Sequence, residues 1–374
     1  MGGAVSGLEL RSTVATDGTL KLGLERVTLE PPGEGEVLVR VEAAPINPSD
    51  LGLLIGPADP ASAVAGGSAE QPTLTLRIAP ERMAGLAARV GQSLAVGNEG
   101  AGTVVAAGPG LEALVGKTVG MIGGAMYAQY RKLPARHVTV LKPGQSAVDG
   151  AAMFVNPMTA LSFVETMRME GHGAIVHTAA ASNLGQMLVR ICRADGIPLV
   201  NIVRSEAQAT LLREAGADPV LDSSASDFHE ALAAAVAKTG ATLAFDAIGG
   251  GRLGGQILAA MEAAVSAGKA YSRYGSDRLK RLYIYGMLDP GPTVFSRDFG
   301  FAWSVSGWLL TPFLARVGGE VAARLRQRVA DELTTTFASH YTRTIGLAEA
   351  LAPEVFAAYQ RKATGEKFLI DPRR

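Results

Sequence analysis

The 374-residue chain has a single cysteine, Cys192, which rules out an internal disulfide and any zinc site built from several thiolates. It also has no net charge. Its 35 lysines and arginines balance 35 aspartates and glutamates, so no global field draws nucleic acid or an anionic membrane, and neither partner is expected. Long apolar runs are missing too: residues 299–315 are uncharged but contain Gly300, Gly307 and Pro312 and are too short to span a bilayer. Residues 1–30 show no basic-then-apolar order, and a cytoplasmic address is the expectation. Aromatic residues make up only 6%, with none in residues 51–97.

The chain does have length, apolar content and glycine. At this length about two domains are expected. A 48% hydrophobic content with 45 glycines fits an α/β protein whose helices and sheet approach closely. In the first 45 residues Leu20, Leu22 and Leu24 follow Asp17-Gly18, and Val37, Val39 and Val41 follow a Pro/Gly cluster, the period-two pattern of half-buried antiparallel strands. Residues 56–97, rich in Ala, Gly, Pro and Ser, read as an extended excursion or lid with a short helix near residues 81–88. After about residue 155 the rhythm changes. Strand-like runs at 174–178, 199–203, 219–221, 242–248 and 282–285 alternate with helix-like segments at 184–194, 206–215, 227–238 and 253–265, which predicts a doubly wound parallel sheet. Residues 348–371 add a helix and a final strand returning to the first domain.

The first of these strands runs into Ala179-Ala180-Ala181-Ser182-Asn183-Leu184-Gly185, a dinucleotide turn in its expected strand–turn–helix context. Ala180, Ser182 and Gly185 hold the three small-residue slots, Ser182 offers a hydroxyl donor, and the backbone around Asn183 and Leu184 opens the helix N-terminus to a pyrophosphate. An ordinary tight turn would also fit the bare pattern. At the end of the second strand, where an enzyme using NAD would place an acid, the chain has Arg204, which suits a 2′-phosphate and favours NADP(H). The rival acid Glu206 is assigned to the helix's first turn, because Ser205 and Gln208 make a capping box.

The chain resembles the zinc-free medium-chain dehydrogenase/reductase superfamily, in its NADPH:quinone oxidoreductase and enoyl reductase branches. The residues that carry the likeness are Ile46-Asn47-Pro48-Ser49-Asp50, Gly97-Asn98-Glu99-Gly100-Ala101-Gly102, Asn156-Pro157-Met158-Thr159-Ala160-Leu161, the turn at Ala180 to Gly185, and Phe245-Asp246-Ala247-Ile248-Gly249-Gly250. The resemblance implies a GroES-like β-barrel catalytic domain (1–154), an inserted Rossmann domain (155–312), a C-terminal return (313–374), a homodimer and an active site in the cleft. Zinc-dependent relatives carry a ligand cysteine near Asn47 and a histidine at Asn98, so no metal is expected here. Cys192 is read as a core residue, and His172 and His177, beside the first Rossmann strand, as structural.

Without a Lewis acid, reduction of an already activated acceptor is the feasible chemistry: hydride transfer to a quinone or an α,β-unsaturated carbonyl. The resemblance places Asn47 and Thr159 beside the nicotinamide and Tyr130 on the substrate side, with Tyr127 a further hydroxyl candidate. Ile248, Gly249, Tyr285, Gly286 and Met287 fall at the cofactor edge. A turn at Asn47, barrel packing at Tyr130 and a helix cap at Thr159 stay open. A 2-enoyl thioester reductase is the alternative within this chemistry, weakened by the absence of a tyrosine donor in residues 51–97. A low-turnover NADPH-binding sensor or scaffold is the alternative of another class.

Overall fold

The computed structural model describes residues 3–68, 71–361 and 365–374 and divides the chain into two units, Met1–Val155 with Val329–Arg374, and Asn156–Arg328. The second unit thus runs to Arg328, beyond the expected residue 312. The added length is a helix, Leu310–Asp331, with an extended kink at Gly318.

The first unit is a set of antiparallel strands closed around an aliphatic core. Val5–Val14 and Thr19–Leu29 pair across the Asp17-Gly18 turn, and the alternation places Leu20 and Leu22 inside with no exposed surface. Glu36–Pro45 pairs with Glu99–Ala107 and Tyr130–Pro134, burying Val37, Val39 and Val41. The returning strand Phe368–Ile370 pairs antiparallel with Glu36–Pro45, Leu369 lying opposite Pro45, and its other neighbour is Arg343–Ile345. Residues 56–97 are not a lid. Asp59–Gly67 and Pro72–Arg77 form a hairpin that extends the first sheet, with Leu20 opposite Leu76, and Ser93–Ala95 pairs on its other edge. The hairpin joins the fold because Leu74 and Leu76 are fully buried, whereas its outer strand exposes small residues such as Ala65 and Gly66.

The second unit is a six-stranded parallel sheet in the order Val220–Asp222, Leu199–Val203, Ile175–His177, Leu243–Asp246, Lys280–Ile284, Trp303–Gly307. Numbered by sequence this is 3-2-1-4-5-6, the dinucleotide-binding order with its topological switch beside the first strand. The crossover helices are Asn183–Asp195, Glu206–Glu214, Phe228–Thr239 and Leu253–Ser266. Cys192 is buried in the first of them, and burial pushes its thiol up to about 12, so it is an inert core group. The sixth strand falls inside the uncharged 299–315 stretch. The molecule is α/β, a GroES-like barrel unit plus a Rossmann unit. Among the described residues no helix is long and apolar enough to cross a membrane.

Candidate active site

In the Rossmann unit the turn after Ile175–His177 is fixed by its neighbours on both sides. Ala180 N–H donates to the Ile202 carbonyl at 3.1 Å, and Ser182 caps the following helix by accepting from Gly185 N–H at 3.1 Å. A Cβ on Gly185 would lie 2.1 Å from the Ala180 carbonyl oxygen, so only glycine lets the helix start this close to the strand. Ala180 and Leu184 are buried, Ser182 and Asn183 half-buried. The result is a helix N-terminus presented at the carboxyl edge of the sheet, the geometry that receives phosphate oxygens.

Asp246, buried at the end of its strand, ties the two central strand ends together. It accepts from Thr178 Oγ1 at 2.7 Å and from the N–H groups of Ile248 and Gly249 at 2.9 and 3.2 Å. Leu288 N–H donates to the Ala247 carbonyl at 3.1 Å, and Gly249 lies against Gly286 and Met287. Met287 is 71% exposed. Tyr285 turns back into the unit, its hydroxyl 2.7 Å from His177 Nε2 and its ring 4.8 Å from Phe163. Phe163 lies one turn beyond the buried Thr159 on Val155–Met169. His177 is fully buried. Burial pushes its imidazole down to about 3, leaving it neutral, and its Nδ1 has no hydrogen-bond partner among the described residues. Nothing in the sequence marked His177 as the partner of Tyr285, because the two are 108 residues apart.

Arg204 is exposed just past Leu199–Val203, and among the described residues its guanidinium makes no ion pair. Glu206 is turned onto its own helix, paired with Arg213 at 2.6 Å. Ser205 accepts from Gln208 N–H as expected, but Gln208 Oε1 reaches the Arg204 N–H, one residue upstream of a reciprocal box.

In the barrel unit Asn47 opens the short helix Pro48–Leu54 and is 2% exposed. Its Nδ2 donates to Glu99 Oε1 at 2.7 Å, and its N–H donates to Asp50 Oδ2 at 2.7 Å. Asp50 Oδ1 accepts from Asn98 N–H at 2.8 Å. Glu99 Oε2 accepts from the N–H groups of Phe154 and Val155 at 2.8 and 2.9 Å. Burial raises the Asp50 carboxyl to about 7 against these two backbone donors. Burial likewise pushes Glu99 up, opposed by the Val155 N–H, Lys367, the Phe154 N–H and Asn47. Burial lowers Lys367 to about 8, with Glu99 and Asp50 acting in the other direction. Asp50, Glu99 and Lys367 were not picked out as site residues in the sequence. The available signals were the Asn-x-x-Asp spacing at 47–50, which is that of a helix start, and the place of Asp50 and Glu99 inside two of the motif segments.

The two phenols lie in the barrel wall. Tyr127 is fully buried, its hydroxyl donates to the Pro45 carbonyl at 3.0 Å, and its ring occupies space that only a glycine at position 97 leaves open. Tyr130 is half-buried at the start of Tyr130–Pro134, against Gly7. Asn47 and Asn98 bring carboxamides where zinc relatives bring cysteine and histidine, Glu99 is already bonded through both oxygens, and among the described residues no three His, Cys, Asp or Glu side chains converge.

A family model described as zinc-binding dehydrogenase matches residues 184–268, within the Rossmann unit. A provisional NADPH:quinone reductase from Mesorhizobium loti superposes with a TM-score of 0.72 at 26% identity, covering 100% of this chain and 99% of that one. Escherichia coli quinone oxidoreductase, solved with NADPH, superposes at 0.66 with 18% identity, over 98% of this chain and 100% of that one. The mitochondrial enoyl-[acyl-carrier-protein] reductase of Xenopus tropicalis is 30% identical over 210 residues, 54% of this chain and 51% of that protein, so the match spans about half the length of this curated relative. With the strand order, the capped turn and the motif segments, these likenesses place the chain in the medium-chain dehydrogenase/reductase superfamily, on its quinone reductase and enoyl reductase branch.

Proposed function

We propose that the chain is an NADPH-dependent, metal-independent oxidoreductase that passes hydride to a quinone or an α,β-unsaturated carbonyl. The observation that carries this reading is the Ser182-capped, Gly185-tightened turn at the carboxyl edge of a 3-2-1-4-5-6 sheet, with the exposed Arg204, whose guanidinium makes no ion pair among the described residues, where a ribose-binding acid would stand. When bound, NADPH supplies a hydride from its nicotinamide C4. Ala180, Ser182, Asn183, Leu184 and Gly185 are assigned to its pyrophosphate and Arg204 to its 2′-phosphate. Ile248, Gly249, Tyr285, Gly286 and Met287 are assigned to the edge toward the nicotinamide, and Asn47 and Thr159 are the polar side chains given to that ring.

An acceptor that is already electron-poor needs orientation and stabilisation of charge on its oxygen, not a metal, and the carboxamide set at Asn47 and Asn98 supports that reading. Activity is expected to be unchanged after exhaustive chelation. Of the two phenols, Tyr130 is the one retained near the acceptor. Tyr127→Phe is expected to keep turnover and to cost about 1–3 kcal/mol of stability through the unmet Pro45 carbonyl, measured by denaturant unfolding beside steady-state kinetics. A homodimer is part of the proposal. It is supported by the sheet edge at Trp303–Gly307 and by its exposed neighbours Phe301 and Leu309, and light scattering showing a monomer would remove it.

NADPH consumption against quinones, enones and enoyl thioesters tests the reading. Quinone or enone turnover is expected. Higher kcat/KM with enoyl thioesters would shift the assignment to the thioester reductase, and tight NADPH binding with no turnover would shift it to a sensor or scaffold. Arg204→Ala is expected to raise the Kd for NADPH about 10–100-fold, the loss of charge-assisted bonds, and to leave NADH binding unchanged. Equal binding of the two cofactors by the unmodified protein would overturn the NADPH assignment.

A further inference from the structure

We infer that Glu99 is a positioning residue for the reaction, acting through Asn47; the inference rests on the assignment of Asn47 to the nicotinamide. A carboxamide has two faces that differ by a flip, one accepting and one donating. A carboxylate accepts only, so Glu99 Oε1, 2.7 Å from Asn47 Nδ2, admits the NH2 end alone and fixes the direction of the carbonyl end. Both residues are buried, Asn47 at 2% and Glu99 at 1% exposure, so water does not compete for either group.

Glu99 is itself immobile. Its second oxygen takes two backbone N–H groups, from Phe154 and Val155 at 2.8 and 2.9 Å, and Val155 is the first residue of the helix Val155–Met169. The backbone of Asn47 is held independently by Asp50, which also accepts from Asn98 N–H. Asn47 is thus clamped at its main chain by one carboxylate and at its side-chain amide by another. The Asp50 clamp accounts for the fold of the Asn47–Asp50 turn. The Glu99 bond sets which end of the Asn47 amide faces the Asp50 N–H in the capping box, and the same fixed orientation is what positioning a ring or a developing oxyanion requires.

A double-mutant cycle separates this role from a structural one. Glu99→Gln, Asn47→Ala and the double variant are compared for kcat, KM, Kd for NADPH and Tm, with the acceptor that gives the highest turnover. The expected result is that Glu99→Gln lowers kcat about 10–100-fold while Kd for NADPH changes less than about threefold, and that it lowers kcat no further in the Asn47→Ala background. Equal, multiplicative losses in the two backgrounds would overturn the inference, as would unchanged kcat in Glu99→Gln alongside a damaged Asn47→Ala enzyme. If Asn47→Ala itself keeps full kcat, the assignment of Asn47 fails and the inference falls with it, a result distinguishable from the other two. If Glu99→Gln does not fold, Glu99→Asp, which keeps the charge one methylene shorter, is expected to show the same lowered kcat with retained NADPH binding. Full activity there would count against the role.

Discussion

Gly185→Ala is expected to abolish measurable NADPH binding and lower Tm by several degrees. The added methyl would sit 2.1 Å from the Ala180 carbonyl oxygen and 2.6 Å from its carbon, both backbone atoms that cannot rotate away. Relief requires the helix Asn183–Asp195 to withdraw from the strand before it. That breaks the Ser182 cap on Gly185 N–H and separates the turn from the Ile202 carbonyl that holds Ala180. Overpacking of this kind costs about 1–3 kcal/mol. The loss of binding is larger than the loss of stability, because the displaced N–H groups are those assigned to the pyrophosphate. Calorimetric titration and thermal unfolding of the variant measure both, and retained NADPH affinity would show that the turn is not the cofactor site.

The largest loss of stability is expected from Lys280→Met. Lys280 is fully buried on the fifth Rossmann strand, where its ammonium pairs with Glu262 and donates to Ser276 Oγ at 3.0 Å and the Arg278 carbonyl at 3.1 Å. Glu262 also accepts from Ser266 and from the N–H and hydroxyl of Ser276, so one carboxylate anchors the whole polar loop between its helix and the strand. Removing the lysine leaves that carboxylate buried without its counter-charge, a cost of about 3–5 kcal/mol and a fall in Tm of about 6–20 °C. Burial by itself would raise the Glu262 carboxyl, but the bonds from Lys280, Ser276 and Ser266 outweigh it and hold the group at about 2. Because this value lies below the ordinary carboxylate range, the pair's contribution is complete above about pH 4.3 and is lost as pH falls toward 2. Unfolding measured across that range should show a steeper decline in the unmodified protein than in Lys280→Met, where only the serine bonds to Glu262 and the other paired carboxylates, such as Asp195 and Asp371, still contribute.

The Rossmann unit was legible because its signals are local. Leu199–Val203 is a continuous buried run with turn residues at both ends, Ser182 and Ser205 announce the helices they cap, and the strand–helix repeat leaves few other topologies. The sixth strand, Trp303–Gly307, was not legible: its five residues mix aromatic, hydroxyl and glycine, and their pairing with Lys280–Ile284 is decided by the sheet edge. The hairpin of residues 59–77 was missed for a related reason, since only Leu74 and Leu76 carry the inward pattern and the outer strand carries none. Among the residues proposed for the site, Asn47, Ser182, Gly185 and Arg204 were picked out from motif context. Glu99, Lys367 and the His177–Tyr285 bond depend on partners tens of residues away, and a buried carboxylate is invisible until the donors around it are placed. Tyr127 shows the converse: a phenol that reads as a proton donor by type serves the Pro45 carbonyl.

The central claim is hydride transfer from NADPH, and single-turnover oxidation of cofactor carrying deuterium at one or the other face of C4 tests it most directly, with excess quinone or enone present. Oxidation is expected to require both protein and acceptor, to be slowed by deuterium at one face and to be unaffected by deuterium at the other. No oxidation above the protein-free rate with any quinone, enone or enoyl thioester, or a rate indifferent to deuterium at both faces, would contradict it.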